Sequence, residues 1–173
     1  SVLDTGQVAE LFRRAPPPPP PPPPPDEQLN RVKGFLKSEI TDNLVEVFQD
    51  QATITVRLAG SGMFGSGSDA LKSKFEIPLR KVAAALNDTY GPIIVIGHSD
   101  NVPIRSSRFP SNEHLSLARA EAVMRTLAVQ IKQNDRLKSE GRAAKEPIAD
   151  NGTSEGRAKN RRIEIVLVRE DAT

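Results

Sequence analysis

Residues Ile93–Asn101 read IIVIGHSDN, an apolar run followed at once by polar side chains. The four apolar residues are continuous rather than alternating, which is typical of a strand that is buried on both faces. Gly97 separates them from four polar residues, His98 to Asn101. We therefore predict a central strand of a sheet that ends in a group of polar side chains, where a functional site can form.

Three helices are predicted around this strand, because apolar residues recur at helical spacing in three segments. The segments run from about Asp26 to Thr41, from Lys74 to Asn87 and from Ser116 to Asn134. Their apolar stripes are Leu29, Val32, Leu36 and Ile40; Phe75, Leu79, Val82 and Leu86; and Ala118, Ala122, Val123, Leu127 and Ile131.

Alternating apolar and polar residues predict the remaining strands. They indicate a β-hairpin of Val45–Phe48 and Ala52–Leu58 and a last strand over Arg162–Val168. A short strand near Leu137–Gly141 is a further candidate, although its residues do not alternate. Since strands and helices alternate along the chain, we predict an α/β sandwich, in which helices pack on one face of a small mixed β-sheet.

The segment Ala59–Ser68 is rich in glycine but lacks the Gly-Lys-Ser/Thr ending of a phosphate-binding loop. We predict an irregular connection here, with Phe64 inserted into the core.

Ten consecutive prolines, Pro16–Pro25, divide the chain. They predict a polyproline II rod of about 31 Å, because each residue advances ~3.1 Å. A spacer is the favoured interpretation, and a docking site for SH3-like modules is the alternative. Residues 1–15 then form a tail, either disordered or next to a membrane anchor outside this sequence, and residues 26–173 form the folded domain.

Composition excludes several classes of function. The 173 residues include no Cys and no Trp, one Tyr and two His, with a net charge of +2. These numbers argue against disulfides, cysteine-ligated metals and binding of nucleic acid. His98 and His114 lack a third metal ligand, and no nucleophile motif is present, so we expect no metal, no cofactor and no catalysis. No apolar run is long enough to span a bilayer.

Asp100, after the central strand, and Arg119, near the start of the longest predicted helix, are the leading candidates for a binding site. An arginine can hold a carboxylate with two hydrogen bonds, and an aspartate can accept from an ammonium group. Free N–H groups at the helix start would add to the carboxylate site. The pair therefore suits a zwitterionic amino-acid group. The alternative is an Asp100–Arg119 ion pair that only stabilises the fold.

A second polar cluster lies just before the last strand. Its basic residues either face the same cleft or are simply solvated: Arg157, Lys159, Arg161 and Arg162.

Three blocks of the sequence form a recognisable set: Gly97-His98-Ser99-Asp100-Asn101, Asn112-x-x-Leu115-Ser116-x-x-Arg119-Ala120 and Gly156-Arg157-Ala158-x-Asn160-Arg161-Arg162-Ile163-Glu164-Ile165. Together they resemble the OmpA C-terminal family over about Val45 to Val168. The resemblance implies non-catalytic binding of peptidoglycan through the diaminopimelate of the stem peptide. Asp100 and Arg119 match the family residues that hold this group. The implied site also includes Ser99, Asn112, Arg161 and Arg162.

The segment Val102–Ser111 is longer than in typical outer-membrane members and resembles two inner-membrane branches. One is TssL of type VI secretion (the IcmH/DotU family), which the proline run and His114-Leu115-Ser116 favour. The other is the flagellar stator protein MotB. The first implies a periplasmic location in a Gram-negative bacterium, a membrane anchor upstream, and other proteins of the secretion complex as partners. A protein–protein module with a closed cleft is the remaining alternative.

Overall fold

The structure is a computed structural model, and it describes residues 4–6, 15–18, 20 and 25–169. The predicted tail lies largely outside these ranges, and so does half of the proline run; both predictions stay predictions.

Five strands form one mixed sheet in the order β1-β2-β5-β3-β4. β3 and β4 are parallel, and the other neighbours are antiparallel. A parallel pair needs a crossover, and the long helix between β3 and β4 supplies it. The strands are β1 Val45–Gln49, β2 Thr53–Ala59, β3 Ile93–His98, β4 Leu137–Ala143 and β5 Arg162–Val168.

Six α-helices are described within residues 25–169: α1 Pro25–Phe35, α2 Lys37–Thr41, α3 Gly60–Met63, α4 Glu76–Asn87, α5 Asn112–Ala128 and α6 Ser154–Asn160. Short 3₁₀ turns precede α4 and β4, at Ser73–Phe75 and Asn134–Arg136. No helix of the described residues has the length and apolar character needed to cross a membrane.

The core lies between one face of the sheet and the helices, which confirms the predicted fold class. The stripes predicted for the first two helices are buried at Leu29, Val32 and Leu36 and throughout the second. Alternate residues of β2 and β5, Ile54 and Ile163 among them, meet these stripes from the sheet. Phe64 is also part of the core, as predicted.

The structure corrects several predicted boundaries. The first helix is interrupted at Leu36, and the glycine-rich segment contains the short helix α3. The longest helix begins at Asn112 rather than Ser116, because the Ser111 side chain accepts a hydrogen bond from His114 N and caps it. It ends at Ala128 and not Asn134. Arg119 therefore lies about two turns along α5, not in its first turn.

Candidate functional site

A cleft of about 580 Å³ lies where the glycine-rich segment, the loop after β3, α5 and α6 meet. Five of the six residues that the sequence analysis placed in a site line it: Ser99, Asp100, Asn112, Arg119 and Arg161. These residues come from positions 99 to 161, so only the fold brings them together.

Asp100 follows the end of β3 and is 8% exposed. Its Oδ1 accepts from Val102 N at 3.0 Å, and its Oδ2 accepts from Arg161 Nη1 at 2.5 Å. The preceding residue holds this turn in place: Ser99 N donates to Ala143 O, and Ser99 Oγ donates to Asp100 O. The carboxylate is thus oriented and is paired with Arg161.

Arg119 is also 8% exposed, and its contacts lie on the opposite wall of the cleft. Nε donates to Ser68 O at 2.8 Å and Nη2 to Gly65 O at 3.0 Å, while the guanidinium lies 5.2 Å from the centre of the Phe64 ring. Burial, and then repulsion by Arg161, lower the pKa of Arg119, although the group stays charged. The alternative of a direct Asp100–Arg119 ion pair is wrong, because Asp100 takes Arg161 as its partner.

Two glycines of the sheet allow α5 to pack close to β3 and β4, which places Arg119 in the cleft. A side chain at Gly97 would collide with the backbone of Ser116, and one at Gly141 would collide with the backbone of Leu117 and Glu113. Both positions therefore require a residue without Cβ, for reasons of space rather than backbone angles.

Asn112 lines the cleft at the start of α5, where its Nδ2 donates to Val102 O at 2.9 Å. Ser111 already accepts from His114 N at 3.3 Å at the same helix end. Because Arg119 is about two turns further along, the predicted carboxylate site shared by the helix end and Arg119 is not formed.

Arg162 is not part of the cleft. It is 3% exposed, and its guanidinium donates to Asn160 O and Glu146 O and lies 3.6 Å from Glu164. Side chains alternate between the two faces of a strand. Arg161 precedes β5 and reaches the cleft, whereas Arg162 begins β5 and turns to the opposite face of the sheet.

The comparison with known families agrees with this geometry. The model of the OmpA family matches residues 63–161, which include Asp100, Arg119 and Arg161. The chain belongs to the OmpA family.

Three relatives of this OmpA-family domain are informative. The cell wall anchor of the type VI secretion system from Pseudomonas aeruginosa is 38% identical, with a TM-score of 0.76, and the match covers 82% of this chain and 99% of that one. Motility protein B of Bacillus subtilis is 34% identical over 82% of this chain and 57% of its own length. The peptidoglycan-binding protein ArfA of Mycobacterium tuberculosis is 34% identical over 68% of this chain and 35% of its own. The chain thus spans 57% of the length of motility protein B and 35% of the length of ArfA.

Some groups that shape the cleft of the OmpA-family domain cannot be predicted from patterns of residue types. The carbonyl oxygens of Gly65 and Ser68 bind Arg119, and backbone acceptors leave no trace in side-chain patterns. Asn160 is fully buried and bonds to the backbone of Ile148 and Ala149. It fixes the loop before α6.

The described residues contain no group of three or more His, Asp and Glu side chains placed to hold a metal ion. Glu113 lies 3.7 Å from Lys145, and His114 Nδ1 lies 2.7 Å from Ser111 Oγ, both on the exposed start of α5. These neighbours belong to helix capping and to a surface ion pair.

Proposed function

We propose that this domain binds peptidoglycan without catalysis and that its cleft holds the diaminopimelate end of a stem peptide. The observation that carries the proposal is that a buried, oriented carboxylate and a buried guanidinium, which do not pair with each other, line the same cleft. The side-chain end of diaminopimelate bears an ammonium and a carboxylate. Asp100 would accept from the first and Arg119 would donate to the second.

The remaining cleft residues have supporting roles in this proposal. Arg161 holds the Asp100 carboxylate turned into the cleft, and it yields part of that contact to the incoming ammonium. Ser99 and Asn112 hold the loop on which Asp100 lies. Arg162 is left out of the ligand set because it lies on the other face of the sheet.

At the level of the whole protein, we infer a periplasmic anchor that ties an inner-membrane type VI secretion complex to the cell wall. The similarity to the Pseudomonas anchor over 99% of that chain supports this assignment. A flagellar stator of the MotB kind is the second candidate, which the similarity to motility protein B supports. The rest of the gene distinguishes them, since a large soluble helical domain upstream favours secretion and a single helix with a proton-carrying aspartate favours a stator.

Co-sedimentation with diaminopimelate-containing sacculi tests the proposal. We expect Asp100→Asn and Arg119→Gln each to weaken binding about 10-fold or more, because each removes a charged partner of a buried hydrogen bond. Exposed residues outside the cleft give matched controls, Asp88→Asn and Arg80→Gln, which should bind like the unmodified domain.

Circular dichroism of every variant separates loss of binding from loss of folding. Full sedimentation of folded Asp100→Asn and Arg119→Gln would refute the site. Failure of the unmodified domain to bind sacculi would refute the function and leave the protein–protein module as the explanation of the fold.

A further inference from the structure

The cleft has a marked excess of positive charge. Among the described residues that line it, one carboxylate, that of Asp100, faces four cationic side chains: Lys72, Arg119, Arg157 and Arg161. A diaminopimelate end carries one ammonium and one carboxylate, so it brings no net charge. Binding this group alone would therefore leave the excess of like charges in place, and these charges repel one another across the cleft.

Two carboxylates of the described residues act near the cleft, those of Asp100 and Asp69, and neither removes this excess. Asp100 is already engaged by Arg161 at 2.5 Å. The negative charge of Asp69 attracts Arg119, but Asp69 pairs with Arg108 at 3.2 Å and does not line the cleft. The acceptors bound by Arg119 are the neutral carbonyls of Gly65 and Ser68.

Arg157, like Arg119, lines the cleft and donates to a backbone carbonyl oxygen. Its Nη1 donates to a neutral acceptor, Asn151 O, at 3.0 Å, which orients the half-buried side chain. Arg157 and Arg161 are four residues apart, and Arg161 N donates to Arg157 O at 3.1 Å, so one helical turn joins them. Residues at this spacing have neighbouring side chains. Arg157 therefore continues the cationic wall beyond the residue that holds Asp100.

Lys72 belongs to the opposite wall. Its backbone N donates to Met63 O at 2.8 Å, which fixes it beside the glycine-rich segment, while its side chain is exposed. The cleft thus has an oriented guanidinium on one wall and an ammonium on the other, in addition to Asp100 and Arg119.

We propose that Arg157, together with Lys72, forms a second carboxylate subsite in this cleft. The domain then prefers a stem peptide with a free second carboxylate over one in which that group is amidated. The inference rests on the proposed function, since it takes the diaminopimelate end to occupy Asp100 and Arg119. Two groups of such a peptide can supply the second carboxylate, the α-carboxylate of the D-glutamate and the carboxylate at the peptide's C terminus.

Calorimetric titration with three synthetic peptides tests the subsite. They are L-Ala-γ-D-Glu-meso-diaminopimelate, the same peptide amidated at the glutamate α-carboxylate, and the same peptide amidated at its C terminus. We expect one of the two amidations to weaken binding about 10-fold, because it removes a charge-assisted contact. The sensitive position identifies which carboxylate occupies the subsite.

Variants then link the preference to the residues. The preference is the ratio of the affinities for the free peptide and for the sensitive amidated peptide. Arg157→Gln should reduce this ratio to about 2-fold or less, while the affinity of this variant for the sensitive amidated peptide stays as in the unmodified domain. Lys72→Gln should reduce the ratio in part. Lys138→Gln removes an equal charge from the exposed side of β4 and should keep the full preference.

The outcomes separate the two proposals. If none of the three peptides binds, the proposed function fails and the subsite fails with it. If all three bind equally, or if Arg157→Gln keeps the full preference, the subsite alone is refuted and the diaminopimelate site stands.

Discussion

Two adjacent arginines of this domain have unlike environments, although both belong to the block that resembles the OmpA family. Arg161 lies in the cleft and pairs with Asp100. Arg162 is buried on the other face of the sheet, where it binds two backbone carbonyls. Its position in the strand is the cause, because each step along a strand reverses the face. A match to a sequence motif therefore predicts the local fold more reliably than it predicts a contact with the ligand.

Glu164 is the centre of the charged cluster around Arg162. Burial by itself raises the pKa of Glu164, but contacts with His98, Arg162 and Arg57 outweigh it and lower the pKa to about 2. His98 Nε2 lies 2.8 Å and Arg57 Nη2 lies 2.9 Å from its carboxylate. The ionised form of Glu164 thus stabilises the fold.

The substitution Glu164→Gln should reduce stability in a pH-dependent way. The folded pKa is depressed, so the contribution of the carboxylate is fully present above the unfolded value of 4.5 and is lost as the pH falls to about 2. We expect a deficit of up to about 3 kcal/mol in the free energy of unfolding at pH 5, shrinking steadily towards pH 2. Urea unfolding at several pH values measures it.

Glu46→Gln is the control for this measurement. Glu46 is 71% exposed and lies 3.4 Å from the same Arg57, so its removal should change stability by less than about 1 kcal/mol. A deficit of Glu164→Gln that is the same at pH 5 and pH 2 would contradict the assigned role.

At the scale of elements, the distance between α5 and the sheet decides where Arg119 lies. Gly97 and Gly141 allow the backbone of α5 to approach β3 and β4. The same helix connects the two parallel strands, so its position follows from both topology and packing.

Gly97→Ala should destabilise the domain by about 1–3 kcal/mol, because the new methyl group meets the backbone of Ser116 and forces α5 outwards. Binding to sacculi should weaken at the same time, since Arg119 moves with the helix. Urea unfolding and co-sedimentation measure the two effects.

Gly34→Ala is a matched control in α1, where an added Cβ meets nothing within 4 Å. Alanine is the better helix former there, so this variant should be as stable as the unmodified domain or more stable by up to about 1 kcal/mol. Equal effects of the two glycine substitutions would refute the close-approach explanation.

At the scale of the whole molecule, the segment that follows the prolines belongs to the core. Leu29, Val32 and Leu36 are buried against the helices and the sheet. Glu39 of α2 adds an ion pair of 2.7 Å to Lys81 of α4. We therefore expect the independently folding unit to begin near residue 26 and not at β1.

Two truncated chains test this boundary. Residues 26–173 should unfold at the same urea concentration as the full chain. Residues 42–173 should unfold at a much lower one, because each of the three lost apolar side chains contributes about 1.5–3 kcal/mol when buried. Equal midpoints for all three chains would show that the helices before β1 are dispensable.

The distribution of apolar residues was enough to predict all five strands and to place the second predicted helix within two residues of its ends, because the burial of a helix face or a strand face must repeat along the chain. It did not show that the first predicted helix is interrupted at Leu36. It placed the start of α5 four residues late, since the signal there is a single capping hydroxyl at Ser111. It did not reveal α6, a polar helix of seven residues with few apolar positions.

The order of residues also indicated Asp100 and Arg119 as site candidates, because Asp100 directly follows a buried strand and Arg119 lies near the start of the helix that comes next. Only the folded chain showed that Asp100 pairs with Arg161, that backbone carbonyls hold Arg119, and that Arg157 continues the cationic wall. These contacts join residues up to 61 positions apart, and in the case of Arg119 the partners are backbone atoms. A local pattern of residue types contains neither kind of information, because both depend on how closely α5 and α6 approach the sheet.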